Sequence, residues 1–115
     1  MLERHQSVVP DLVGWKRARL PDLASERPIT TVPDWVCEVV SPADGGRDRV
    51  RKADLYLRTG VPQYWILDPA ERTLEAFEAQ DGRWLRFGAW TDGDTPRVAP
   101  FDAIELDVAG LFLPL

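Results

Sequence analysis

The chain has 115 residues, with 14 Lys and Arg, 19 Asp and Glu, and a net charge of −5. That length makes one small domain, 1–115, and 44% hydrophobic with 29% charged residues excludes wholesale disorder. No apolar run approaches the roughly 18 residues of a membrane span, and the start, MLERHQSVVPD, lacks the apolar centre of a secretory signal.

One Cys and one His exclude a zinc cluster built from thiolates and imidazoles. Cys37 lies in an apolar run and reads as a small core hydrophobe, compatible with a reducing cytoplasm. Charge is uneven along the chain. Residues 1–67 hold ten basic and nine acidic side chains, whereas 68–115 hold four and ten. The cations gather in two clusters, Lys16, Arg17, Arg19 and Arg47, Arg49, Arg51, Lys52, Arg58. Local cation density rather than net charge governs phosphate binding, so a polyanionic partner is compatible with the acidic total. A solvated face of ordinary ion pairs has the same composition.

In chain order, Ser7 to Trp15 is extended and broken at Pro10-Asp11. Proline cannot donate to a ladder, so it belongs at a strand start or edge, and a strand is expected over Leu12–Trp15. Lys16 to Arg27 is a polar connection with a Leu-Pro-Asp-Leu turn. After Pro28 comes a short extended piece, then Pro33 and a central strand over Trp35–Val40. Residues 41–46 form a loop. A helix follows, with Asp48 or a neighbour near its N-cap, ending at Thr59 before Gly60 and Pro62. Its Val50, Ala53 and Leu57, at i, i+3 and i+7, are expected to pack on the sheet. Gln63–Leu67 reads as a buried strand ending in an Asp68-Pro69 turn. Thr73–Ala79 and Arg83–Trp90 flank Gln80-Asp81-Gly82, a hairpin signal. The tail offers an extended piece at Ile104–Leu106 and an amphipathic turn at Val108–Leu113. This order gives an α/β (α+β) domain of mixed sheet with one main helix.

Glu38 interrupts the apolar run Trp35–Val40, and a carboxylate there is costly unless it is paired or holds a cation. Asp34 lies in the same strand, but four residues of strand span about 13 Å, too far to share one ion. Asp11 is the better partner: if the first strand pairs with the central one, neighbouring strands lie about 4.8 Å apart and the side chains meet. Two carboxylates, a backbone carbonyl and waters are a Mg²⁺ donor set. Structural alternatives stay open: Glu38 as a half-buried charge, Asp11 as a turn residue, and Lys52 as a helix cation paired with Asp48. Tyr56, Tyr64, Trp65 and the other tryptophans read as packing, and Asp68 as an Asx-turn residue.

Pro10-Asp11, Glu38-Val39-Val40-Ser41-Pro42, Arg47–Lys52, Tyr56, Gly60-Val61-Pro62 and Tyr64–Pro69 together resemble the Uma2 family of putative restriction endonucleases, within the PD-(D/E)XK nuclease superfamily. The resemblance covers roughly residues 8–110. It implies a restriction-endonuclease-like mixed β-sheet with the main helix after the Glu38 strand and a C-terminal β-hairpin. It further implies a Mg²⁺ (or Mn²⁺)-dependent DNA endonuclease in which Asp11, Glu38 and the carbonyl of Val39 hold the metal. The superfamily lysine two residues after the glutamate is Val40 here, and Lys52 on the helix matches the displaced position. Its implied role is to orient the attacking water and stabilise charge on the phosphate. Compared with the family the chain is N-terminally short, so a homodimer or higher homo-oligomer is expected to complete its sheet. The alternative is a catalytically inactive nuclease-derived DNA-binding or oligomeric interaction module.

Overall fold

The structure is a computed structural model that describes residues 10–22, 31–41 and 45–112. Strand β1 (Leu12–Gly14) leads through a 3₁₀ turn at Arg17–Arg19 to β2 (Trp35–Val39). Helix α1 (Gly46–Thr59), β3 (Gln63–Asp68), β4 (Thr73–Gln80) and β5 (Arg83–Thr91) follow, with a last 3₁₀ turn at Ala109–Leu111. The strands form one sheet in the order β1-β2-β3-β4-β5. The β2–β3 pair is parallel and the others are antiparallel. A parallel pair needs a crossover, and α1 supplies it. The expected extended pieces at Ser7–Val9 and after Pro28, and part of the loop before α1, lie outside the described residues.

Side chains alternate across the sheet, so β2 and β3 feed two separate apolar layers. Val36 and Tyr64 meet Leu55, Tyr56 and Val61 on the helix side. Cys37 and Trp65 meet Leu74, Ala76, Val98, Val108 and Phe112 on the other, where the C-terminal segment closes over the sheet. The Cys37 thiol is fully buried and its pKa is pushed up to about 12, first by burial and then by Glu38 and Asp11. It stays protonated and serves packing.

The hairpin follows its turn chemistry. Asp81 and Gly82 both have positive φ, 51° and 75°, which suits a two-residue loop that matches strand twist. A register shift at Ala76/Phe77 bends the ribbon. Asp68 ends β3 as an Asx turn, its Oδ1 accepting from the N–H groups of Ala70 and Glu71.

Three expectations are corrected. The helix begins earlier than Asp48: Gly45 is the N-cap without a side-chain hydrogen bond, and Asp48 sits in the first turn. It does end at Thr59, where Gly60 takes φ 101° and its N–H reaches the carbonyls of Tyr56 and Leu57. Of the Val50/Ala53/Leu57 stripe, Ala53 does pack on the helix-side layer, but Val50 is 70% exposed, and the buried residues of the helix are Leu55 and Tyr56. Lys52, Leu55, Tyr56 and Thr59 form the inward row, and its polar members hide it from an apolar-periodicity test. In the tail, Ile104–Leu106 forms no strand, and Ile104 is exposed in a turn closed on the Phe101 carbonyl.

Candidate metal and phosphate site

Register places the first two acids. Leu12 pairs with Cys37, so one step along the antiparallel ladder sets Asp11 against Glu38. Asp11 stands just ahead of β1, and its Oδ2 accepts the Val39 N–H at 2.7 Å. That bond ties the Asp11 side chain to the end of β2. Pro10 before it costs nothing there, because it lies outside the ladder.

Glu38 is only 5% exposed. Its Oε1 accepts a hydrogen bond from the buried Tyr56 hydroxyl. Lys52 Nζ lies 3.8 Å from the same oxygen and 3.7 Å from Asp48 Oδ2. Lys52 and Tyr56 are one helical turn apart, so the inward row delivers both to one carboxylate. Burial pushes the Glu38 carboxyl pKa up, Tyr56 holds it down, and Asp11, in hydrogen-bonding reach, raises it again; Lys52 counters. The acid pair is therefore short of positive charge when both members are ionised.

The expected triad of Asp11, Glu38 and Lys52 lines one cavity of about 90 Å³, with Val39, Val40, Asp48, Arg49 and Tyr64. A cavity of that volume has room for several waters. Among the described residues no group of three or more His, Cys, Asp and Glu side chains could hold a metal. A cation here would draw on the two carboxylates, a backbone oxygen and water. The donors fit a hard divalent ion: oxygen only, two negative charges crowded together, and one oxygen of each carboxylate outside the hydrogen bonds just described.

Asp34, set aside as a partner for Glu38, is used at the opposite end of β2. It accepts from the Lys16 N–H at 2.7 Å and from Arg19 Nη1 at 2.5 Å. Arg19 is thus already paired. In the second cluster Arg51 pairs with Asp48 and Arg58 with Asp54. Arg47 and Arg49 have no ion pair among the described residues. Sequence reasoning missed the Tyr56–Glu38 bond. Its signal was there, since Tyr56 follows Lys52 at i+4, but a tyrosine on a helix is packing far more often than a partner to an acid.

Residues 1–109 match the model of the Uma2 family, described as a putative restriction endonuclease. The chain belongs to the Uma2 family. Its fold is similar to the crystal structure of a protein from Anabaena variabilis described as a putative nuclease belonging to DUF820. Identity is 23%, the TM-score is 0.56, and the likeness covers 70% of this chain and 44% of that one. This Uma2 chain therefore spans less than half the length of that solved protein, and the likeness speaks for the fold. None of the curated proteins matches it. No helix among the described residues is long and apolar enough to cross a membrane.

Proposed function

We propose that this chain is a Mg²⁺ (or Mn²⁺)-dependent phosphodiesterase that cuts DNA in the manner of an endonuclease. The observation that carries the proposal is the convergence of Asp11, Glu38 and Lys52 on one cavity from three separate elements. Asp11, Glu38 and the Val39 carbonyl would hold the ion. When bound, it would supply Lewis acidity for the phosphoryl oxygen and lower the pKa of a coordinated water.

The chain's own residues do the rest. Val39 N–H fixes one oxygen of Asp11 and Tyr56 fixes one of Glu38, which leaves the second oxygen of each carboxylate outside these bonds. Lys52 stands beside Glu38 and Asp48, and in this reading it would orient the attacking water and meet the negative charge that grows on the phosphate. A cytoplasmic location and a homodimer or larger homo-oligomer belong to the same proposal. The three-residue β1, the edge strand among the described residues, with Leu12 51% exposed, offers a surface for a second copy.

Two measurements test this. Calorimetric Mn²⁺ titration should show binding that Asp11→Ala or Glu38→Ala abolishes. A plasmid-nicking assay should show cleavage that Lys52→Ala lowers by about a hundredfold, the scale of one lost charge-stabilising group, while Mn²⁺ still binds. Wild-type protein that binds Mn²⁺ yet cuts no faster than Glu38→Ala would be the inactive DNA-binding module instead.

A further inference from the structure

Tyr64 is 2% exposed, and its hydroxyl is sealed from solvent with no hydrogen-bond partner among the described residues. An orphaned buried hydroxyl costs about 1–3 kcal/mol, so a ligand or ordered water is expected to meet it. Glu38 Oε1 is taken by the Tyr56 hydroxyl rather than by Tyr64. Tyr64 is held by its neighbours rather than by polar contacts: Tyr56, Phe77 and Trp84 pack round its ring at centroid distances of 5.6, 5.9 and 5.3 Å. The rigid ring brings the residue to the wall of the Asp11/Glu38 cavity. Burial, and then the charge of Glu38, push its ionisation well above the ordinary tyrosine range, so at neutral pH it can donate.

Arg49 shares that wall. It lines the acid cavity and also an apolar one, and Tyr64 is common to both. Arg51 and Arg58 are engaged with helix acids, whereas Arg49 is exposed and has no ion pair among the described residues. A guanidinium with open donors beside a buried phenol donor matches the oxygens of a phosphate, and matches no cation.

We propose that Tyr64 and Arg49 form an anion subsite that grips a non-bridging oxygen of the phosphate seated beside Asp11 and Glu38; this rests on the phosphodiesterase reading. Tyr64 donates through its hydroxyl, and Arg49 closes on the phosphate from the solvent side. Neither residue is a metal ligand.

The test uses inorganic phosphate as the probe, followed by ³¹P relaxation in the presence of Mn²⁺, with Mn²⁺ affinity measured separately. Tyr64→Phe keeps the ring and its packing, and Arg49→Gln keeps the helix. Each should bind Mn²⁺ as wild type does and bind phosphate about tenfold more weakly, the scale of one hydrogen bond to a charged group. Unchanged phosphate affinity in both variants, with Mn²⁺ bound normally, overturns the subsite and leaves the phosphodiesterase reading standing. If wild type binds no Mn²⁺, that reading falls. Phosphate is then titrated into Asp11→Asn/Glu38→Gln protein, where carboxylate repulsion is gone. Loss of binding on adding Tyr64→Phe upholds the subsite, and no loss overturns it.

Discussion

Replacing Tyr56 by Phe removes one oxygen from the interior and leaves the ring against Tyr64. The missing hydroxyl is the hydrogen-bond donor to a buried carboxyl group, a bond worth about 1.5–3 kcal/mol when the acceptor is ionised and about 0.5–1.5 when it is neutral. Glu38 would then keep only Lys52 at 3.8 Å against burial and Asp11. Because the Glu38 pKa is already raised in the folded protein, its ionisation costs stability as pH rises through the folded value. Losing the Tyr56 bond, which holds that pKa down, extends the cost. Tyr56 itself stays protonated throughout, its own pKa pushed far up by burial and by Glu38. The penalty should therefore grow with pH, from under about 1.5 kcal/mol at pH 4 to about 2–3 at pH 8. For a domain of this size that upper value lowers Tm by roughly 6–15 °C. Urea unfolding at both pH values, without divalent ions, measures it. An equal penalty at the two pH values, or none at pH 8, would refute the bond as the means by which Glu38 is kept charged. Mn²⁺ affinity should fall about tenfold or more in the same variant, as when a ligand loses its orienting partner.

Glu38→Gln should make the metal-free protein more stable at pH 8 by on the order of 1 kcal/mol, since a buried charge beside Asp11 is removed. The gain should vanish near pH 4, where Glu38 is protonated, and saturating Mg²⁺ should raise the urea midpoint of wild type alone; a lower midpoint for the variant at pH 8 contradicts this. Gly88→Ala should destabilise by about 1–3 kcal/mol, because an added Cβ would stand 2.6 Å from the Trp90 ring. A near-native Tm would show that Trp90 can move aside. Light scattering should give a mass above that of one chain, and a monodisperse monomer would remove the oligomer from the proposal.

Much of the fold was legible because its signals are local. The Asp81-Gly82 turn, the Gly60 stop and the Asp68 Asx turn each rest on a residue whose backbone or side chain admits few alternatives. Glu38 announced itself by being a charge among residues that bury. Its pairing with Asp11 could be argued from strand spacing alone, because antiparallel neighbours leave little freedom once two strands are adjacent. What the sequence concealed lay where one face serves two purposes. The inward row of α1 carries Lys52 and Tyr56 beside Leu55, so the apolar rhythm pointed to Val50 as well, and the helix sits turned so that Val50 faces solvent while Ala53 still packs. Only the tertiary structure decided that Tyr56 would meet Glu38 and that Tyr64 would be sealed in without a partner among the described residues. A polar group's partner is set by distance through space, and a chain written in one dimension records composition and period but not that distance.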